Sequence, residues 1–255
     1  YPTTIRSHYK LITRAEVKLY RSLQQKKFRK THGLFLIEGR KTVSELLKSD
    51  YIIERIIGLE EDSKIPNIEF VDKTDLANIS SFKNPSDVIA IARVKADLGH
   101  SKISGPIFLL DSIRDPGNLG TIIRTIRWFG GSDLILSPDC ADIYNPKSIQ
   151  ASMGALFHLK IQTTVLSDSI EALKSDGYRI FGTDMNGTDL NQANFPKDSA
   201  IVIGNEGHGI SASILDLSNE QIAIEGGKTA GVESLNAAMS TGIIAHHLYL
   251  RNNGK

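Results

Sequence analysis

Short, strongly apolar runs that alternate with helix patterns constrain the fold of this chain most, and they dominate it from Pro106 onward. Strands are predicted at Ile107–Leu110, Leu134–Leu136, Tyr178–Thr183, Ala200–Ile203 and Gln221–Ile224. Helices are predicted at Asn118–Phe129, near Ser169–Ser175 and at Ser234–Leu250. Runs without in–out alternation are typical of strands buried on both faces. The pattern predicts an α/β domain with a mostly parallel sheet that helices cover on both sides.

The first 95 residues predict a smaller α/β unit of their own. A basic helix is expected at 13–30 with Thr13 as its cap, followed by a strand at Leu34–Ile37 and a helix around 40–48. Further strands are expected at Ile56–Leu59, Ile68–Val71 and Val88–Val94, with a short helix from Thr74. Residues 96–105 are polar and glycine-containing, which is typical of a linker. The expected domains are therefore 1–95 and 106–255, joined by 96–105.

The net charge of +1 conceals an uneven distribution of charge along the chain. Residues 1–48 contain 12 Lys or Arg and 3 acids, or +9, which leaves 18 bases and 26 acids, or −8, for the remainder. A basic segment on an acidic protein favours a polyanionic partner, because each neutralised phosphate releases counterions. The alternative is an ordinary solvated helix face. The densest basic cluster consists of Lys26, Lys27, Arg29 and Lys30.

Composition and motif content exclude several classes of protein. No apolar run approaches the roughly 20 residues of a membrane helix. Cys140 is the single cysteine, so an internal disulfide and a cysteine-rich zinc site are excluded. No metal site is expected, because the adjacent His246 and His247 have no further ligands at suitable spacing. The N-terminus has no signal-peptide pattern, and a cytoplasmic location is expected.

Asn118 and Arg124 stand in a segment where a predicted strand runs through a Pro-Gly turn into a helix. Six residues separate them, which is roughly 600° on a helix, so they do not share one face. Both still reach one site if Asn118 lies at the very start of the helix. The alternative is an asparagine that caps the helix and an arginine on its surface.

Two later segments carry further polar residues at the ends of predicted strands. The run Gly204-Asn205-Glu206-Gly207-His208-Gly209 follows a buried strand, and its glycines allow close approach to a ligand. It is not a dinucleotide fingerprint, because the glycine spacing differs and no long helix follows. Ser234 and Asn236 stand at the predicted start of the closing helix, and capping explains one of them.

Together these segments resemble the SpoU (TrmH-like) family of RNA ribose 2′-O-methyltransferases in the SPOUT superfamily. Asn118, Gly120 and Arg124 match its Asn-x-Gly-x-x-x-Arg motif, and Gly204–Gly209 match its Gly-Asn-Glu-Gly-x-Gly loop. Ser234-Leu235-Asn236 match its Ser-Leu-Asn motif. The N-terminal unit is similar to the substrate-recognition domain of the ribosomal-RNA members, including a Phe-x-x-Glu-Gly segment at Phe35–Gly39.

The resemblance implies a catalytic domain with a trefoil knot, S-adenosylmethionine as the methyl donor and a homodimer. The interface is expected at Trp128, Phe129 and the face of the closing helix around Ile244 and Leu248. The resemblance also implies ribosomal RNA as the substrate, with transfer RNA as the alternative. RNA contacts by the basic cluster are expected independently, from the uneven charge distribution. The cofactor would contact backbone groups of Gly204, Ile224 and Leu235. The residues expected around the ribose are Asn118, Arg124, Glu206, Ser234 and Asn236.

Three questions stay open at this point. Either Arg124 or Glu206 removes the hydroxyl proton, with Arg124 otherwise holding a phosphate. The connection at 225–233 is about two residues longer than in the family, which leaves its cofactor contacts open. A non-catalytic RNA-binding protein of the same fold is the second functional hypothesis. A nucleotide-dependent α/β enzyme is the third, although the chain lacks a P-loop and a dinucleotide fingerprint.

Overall fold

The structure is a computed structural model that describes residues 12–59, 64–95, 105–226 and 234–253. Packing divides the chain into two compact units. The first unit contains the described residues within Tyr1–Ala96 and also Asp142–Phe157, and the second contains those within Asp97–Ala141 and His158–Lys255. Most of the expected linker, 96–105, lies outside the described residues. The expected continuous domain at 106–255 differs from the structure, because Asp142–Phe157 packs with the first unit.

The first unit is built on a four-stranded sheet with the strand order β1-β4-β2-β3. Its strands are β1 (Leu34–Glu38), β2 (Ile53–Gly58), β3 (Ile68–Phe70) and β4 (Val88–Arg93). Its first four helices are α1 (Arg14–Ser22), α2 (Lys26–His32), α3 (Arg40–Leu46) and α4 (Lys73–Ile79). Strand β4 is antiparallel to β1 and β2, while β2 and β3 run parallel. The strands predicted from the sequence are confirmed within two or three residues of their ends.

The basic segment forms two helices, so the single helix expected at 13–30 is wrong. Thr13 caps α1 as expected, because its hydroxyl accepts from the backbone N–H of Glu16 while the Glu16 carboxylate accepts from the N–H of Thr13. The helix ends after Ser22, and the Arg29 guanidinium donates to the carbonyls of Leu23 and Gln24 at 2.8 Å each. Arg29 thus satisfies carbonyls that a continuous helix would have bonded internally.

The second unit is built on a six-stranded sheet in which all neighbouring strands run parallel, with the order β10-β8-β9-β5-β6-β7. Its strands are β5 (Ile107–Leu110), β6 (Asp133–Leu136), β7 (Lys160–Thr163), β8 (Arg179–Asp189), β9 (Ser199–Ile203) and β10 (Glu220–Ala223). The later helices are α5 (Pro116–Trp128), α6 (Pro146–Ser152) in the segment of the first unit, α7 (Leu166–Ser175), α8 (Ala212–Leu215) and α9 (Ala237–Asn253). The expected parallel sheet is confirmed, while β7 was not predicted from the sequence.

Helix α6 packs on β1 within the first unit. Asn145 caps it by accepting from the N–H of Lys147 at 2.9 Å, and Pro146 occupies its first turn. An aromatic cluster surrounds this contact, and its members are Phe35, Tyr51, Tyr144 and Phe157. The cluster explains why 142–157 joins the first unit, since large rings bury much apolar area.

Strands β5 and β9 lie in the middle of the second sheet, and their apolar side chains are fully buried. Helix α5 follows the carboxyl end of β5, while α9 comes after β10, and the two helices pack against each other. Polar groups at the carboxyl ends of parallel strands share one edge of the sheet, where ligands bind in such folds. The fold therefore gathers the three motif segments at this edge.

None of the described helices is both long and apolar enough to cross a membrane. The connection from β10 to α9 includes 227–233, which lie outside the described residues, so the trefoil knot stays a prediction.

Candidate active site at the carboxyl edge of the second sheet

Asn118 lies in the first turn of α5, one turn inside the position that a capping asparagine would take. Asp115 is the cap, and its carboxylate accepts from the backbone N–H of Asn118 at 2.7 Å. Pro116 occupies the first helical position, where its missing N–H removes no helix bond. The capping alternative for Asn118 is wrong, and its side-chain amide is left to make other contacts.

Asn118 joins the other two motif segments through its side chain. Its Nδ2 donates to Glu206 Oε1 at 2.5 Å, and its Oδ1 accepts from Asn236 Nδ2 at 3.1 Å. The three residues are far apart in the sequence and come from α5, the loop after β9 and the start of α9. The structure thus brings together three of the five residues that the sequence placed around the ribose.

Asn236 caps α9 while it contacts Asn118. Its Oδ1 accepts from the backbone N–H of Ala238 at 2.8 Å, and its carbonyl accepts from the N–H of Ser240 at 3.0 Å. Helix α9 begins at Ala237, so the predicted helix start at Ser234 is three residues early. The Ser234 side chain is exposed and has no hydrogen bond to a described residue. Asn236 therefore combines a capping role with a role in the cluster.

The glycine loop, residues 204–211, holds Glu206 in place through a tight internal turn. The backbones of Asn205 and Gly209 exchange two hydrogen bonds of 3.0 and 2.8 Å, and the N–H of Gly207 donates to Asn205 Oδ1 at 2.8 Å. A Cβ on Gly204 would lie 2.3 Å from the carbonyl carbon of Gly209. No side chain fits at that contact, so glycine at 204 is a requirement of loop closure.

Arg124 is not part of this hydrogen-bonded cluster. It lies on the exposed side of α5, and its side chain makes no hydrogen bond to another described residue. This placement agrees with the angular separation from Asn118 that the sequence spacing predicts. A guanidinium that no described residue binds suits a phosphate that arrives with a nucleic acid.

The three expected cofactor contacts lie near the same edge. Gly204 follows β9 directly, Ile224 follows β10 directly, and Leu235 precedes α9. Among the described residues, none forms a hydrogen bond with the backbone groups of these three positions. Gly204 and Ile224 are half-buried, whereas Leu235 is 46% exposed. Backbone donors and acceptors that a ligand covers need partners, and an adenosine-containing ligand would supply them. The residues present therefore fit S-adenosylmethionine, although 227–233 lie outside the described residues.

Sequence reasoning missed a partly buried hydrogen-bond network that contacts the glycine loop. Asp111 is 5% exposed and accepts from both the backbone N–H and the hydroxyl of Ser211. Ser112 and Ser137 donate hydrogen bonds to the Asp139 carboxylate, which lower the pKa of Asp139 below its usual range. An acid directly after a wholly apolar strand was the available signal for Asp111, since buried carboxylates need donors.

The basic cluster of the first unit is only partly available to a partner. Lys26, Lys27 and Lys30 are exposed on α2. Arg29 is 3% exposed, and its guanidinium forms an ion pair with Asp142 at 2.6 Å. The expectation that Arg29 contacts RNA is wrong, because its donors are committed to Asp142 and to two backbone carbonyls.

Models of known families match both parts of the chain. The SpoU rRNA Methylase family matches residues 105–246, and the MRM3-like substrate binding domain matches residues 14–90. The chain is 28% identical to the 23S rRNA (guanosine(2553)-2′-O)-methyltransferase RlmP of Bacillus subtilis, over 91% of this chain and 95% of that protein. These matches confirm the resemblance that the three motifs indicated.

Solved structures of similar proteins share the fold over almost the whole chain. One from Porphyromonas gingivalis, described as belonging to the TrmH family of RNA methyltransferases, is 30% identical with a TM-score of 0.87 and covers 95% of this chain and 100% of its own. An AdoMet-bound rRNA methyltransferase from Sinorhizobium meliloti is 26% identical with a TM-score of 0.84, covering 96% and 98%. The expected α/β fold class is confirmed.

Proposed function

Because the chain belongs to the SpoU rRNA methylase family, we propose that it methylates a ribose 2′-hydroxyl of ribosomal RNA with S-adenosylmethionine as donor. The observation that carries the proposal is the hydrogen-bonded cluster of Asn118, Glu206 and Asn236 at the carboxyl edge of the sheet. The similarity to RlmP and the match to a substrate binding domain favour ribosomal RNA. Transfer RNA is the alternative substrate, and the cytoplasmic location stays a prediction.

Backbone groups of Gly204, Ile224 and Leu235 would hold the cofactor. When bound, S-adenosylmethionine supplies a methyl group on an electrophilic sulfonium. The protein then has two tasks, which are to align the ribose oxygen with that carbon and to accept the hydroxyl proton. Transfer would join the methyl carbon to the ribose oxygen and leave the electron pair of the carbon–sulfur bond on a neutral thioether, while a base of the protein takes the hydroxyl proton.

Glu206 is the proton acceptor in this proposal. Its Oε1 accepts from Asn118, while no described residue hydrogen-bonds to its Oε2. That oxygen is available to a ribose hydroxyl, and a carboxylate accepts a proton far more readily than a guanidinium loses one. Arg124 is assigned to the phosphate of the target nucleotide, since a guanidinium binds phosphate through two parallel hydrogen bonds. Asn118 and Asn236 orient Glu206, and the role of the exposed Ser234 near the ribose stays a prediction.

Two variants test these roles. We expect Glu206→Gln to keep the shape of the loop and to lose about 100-fold or more in turnover, because an amide does not accept the proton. Arg124→Ala should also lose most turnover while S-adenosylmethionine affinity stays within a few fold, and Arg124→Lys should recover part of it. The assay is transfer of labelled methyl groups to ribosomal RNA. Normal turnover in both Glu206→Gln and Arg124→Ala would contradict the assigned site.

We also propose a homodimer, with an interface that differs from the one expected from the sequence. Ile244 and Leu248 were expected at the interface, but they are buried within the protomer, at 0% and 4% exposure. The exposed apolar side of α9 instead carries Met239, Ile243 and Leu250, and Trp128 at the end of α5 is 81% exposed. The aligned spacing of these α9 residues places them on one stripe.

Light scattering tests the oligomeric state. We expect a species of twice the 28.0 kDa chain mass at micromolar concentration. Charged substitutions at Met239 and Ile243 should shift it towards the monomer, because they place charge in an apolar interface. A wild-type protein that remains monomeric under these conditions would contradict the dimer.

A further inference from the structure

Two residues that directly follow β5 hold both ends of the glycine loop. At the exit of the loop, the backbone N–H and the hydroxyl of Ser211 both donate to Asp111 Oδ2 at 2.8 Å. At its entry, Asn205 Nδ2 donates to the carbonyl oxygen of Ser112 at 2.9 Å. Glu206 lies between these two attachments. The carboxyl end of one central strand thus fixes the loop that follows its neighbour.

The conformation of Ser112 is itself tightly determined. Its φ of 59° lies in the left-handed region, which is unfavourable for a residue with a side chain. Three contacts hold it there: its N–H donates to Ser137 Oγ at 2.9 Å, its hydroxyl to Asp139 Oδ2 at 2.5 Å, and its carbonyl accepts from Asn205. Backbone strain of this kind persists only where surrounding contacts over-determine it, and it is frequent at active sites.

Asp111 is well suited to holding the end of the glycine loop in one position. The residue is 5% exposed, its N–H donates to the carbonyl of Ile203, and its Oδ2 accepts from both the N–H and the hydroxyl of Ser211. A buried carboxylate with several donors is strongly held, because charge-assisted hydrogen bonds are about twice as strong as neutral ones. Helix capping and core packing do not require an acid at this position, since the cap of α5 is Asp115.

We propose that Asp111 and Ser112 are positioning residues for methyl transfer, which act by fixing the glycine loop so that Glu206 meets Asn118. The proposal rests on the proposed function, because it assigns these two residues a role through Glu206. A loop released at its exit would let the Glu206 carboxylate move relative to Asn118. Displacements near 1 Å in a reacting geometry cost about 100-fold in rate.

The test is a double-mutant cycle in the full-length protein, with kcat, the KM for S-adenosylmethionine and the melting temperature measured for each variant. We expect Asp111→Asn to lower kcat by about 10- to 100-fold, and Ser211→Ala by a smaller factor because its backbone N–H remains. In the Asp111→Asn background, Ser211→Ala should change kcat less than twofold, because both act through one contact. Asp133→Asn is the matched control.

Asp133 also accepts from a neighbouring serine, but it lies at the start of β6, at the opposite edge of the same sheet. Its variant should keep wild-type kcat. If Asp111→Asn keeps wild-type kcat in the folded fraction, or if its effect and that of Ser211→Ala multiply independently, the positioning role is refuted. If Asp111→Asn does not fold, Ser211→Ala decides alone, and wild-type kcat for it refutes the role.

A further comparison separates this proposal from the proposed function. In a Glu206→Gln background, Asp111→Asn should cause no further loss of kcat, because the group that it positions is already gone. An unchanged kcat for Glu206→Gln would overturn the proposed site. A full additional loss from Asp111→Asn in that background would overturn only the positioning role.

Discussion

Replacing the three exposed lysines of α2 should weaken RNA binding and make the binding affinity less dependent on salt concentration. The triple variant Lys26→Gln, Lys27→Gln and Lys30→Gln keeps the polar character of the helix and lowers the charge by three. All three side chains are exposed, and no acidic residue stands between Arg14 and Glu38 except Glu16. We expect a higher RNA dissociation constant and a smaller dependence on salt.

The magnitude follows from counterion release. Each phosphate neutralised by a cation adds about 0.7 to 0.9 to the slope of log affinity against log salt. Three engaged lysines therefore contribute up to about 2.7 to the slope. Between 50 and 200 mM salt, the part of the slope that these lysines contribute corresponds to roughly a 40-fold change in affinity. The triple variant should lose this part of the salt dependence. Arg29 adds nothing to this estimate, because Asp142 already neutralises it within the protein.

The assay is fluorescence anisotropy of a labelled ribosomal RNA fragment at several salt concentrations. The control replaces Lys160, Lys174 and Lys197 with Gln, which removes the same charge from exposed positions of the second unit. Cofactor affinity should stay unchanged in both variants, because the residues expected to contact S-adenosylmethionine lie elsewhere in the chain. If the triple variant on α2 and the wild type have equal salt slopes, α2 is an ordinary solvated helix and the reasoning fails.

Three other substitutions test single contacts. Arg29→Gln should lower the free energy of unfolding by about 3 kcal/mol, because the half-buried Asp142 carboxylate loses a cation that is itself buried. Thermal unfolding followed by circular dichroism measures the change, and a shift of the melting temperature under about 2 °C would contradict it. Gly204→Ala should abolish cofactor binding in calorimetry, because its Cβ prevents closure of the loop. Asn236→Asp should keep the cap of α9 and the melting temperature but lower kcat, because Asn118 Oδ1 loses its donor; wild-type kcat would remove Asn236 from the cluster.

The fold of the second unit was accessible from the sequence because its central strands are buried on both faces. Ile107–Leu110 and Ala200–Ile203 are wholly apolar runs between turn residues, and both are strands in the structure. Strand β7 was missed, because Lys160–Thr163 mixes polar and apolar residues at a half-exposed sheet edge. A continuous apolar run indicates a buried strand, so a half-exposed strand at the edge of a sheet is hard to recognise from the sequence.

Contacts between residues that are far apart in the sequence could not be predicted from the sequence in the same way. Nothing in the sequence near Arg29 indicates that its partner is Asp142, 113 residues later. Charge density alone placed Arg29 among the RNA contacts, although an arginine beside helix carbonyls is equally suited to a structural role. Ile244 and Leu248 were likewise expected on the surface, because their burial depends on which side of α9 meets α5.

The candidate site was partly predictable because one of its residues, Asn236, has both a local and a distant role. Local rules recover the start of α5 and the cap of α9, since prolines, aspartates and asparagines at helix starts have well-defined functions. Those rules account for the Oδ1 of Asn236 but leave its Nδ2 without a partner, and that unassigned donor contacts Asn118. Asp111 shows the converse case, because no local rule requires it and its partner Ser211 lies a hundred residues away. A polar group that local structure leaves unsatisfied, at the carboxyl end of a buried parallel strand, is therefore the feature to look for when such a site is sought from sequence.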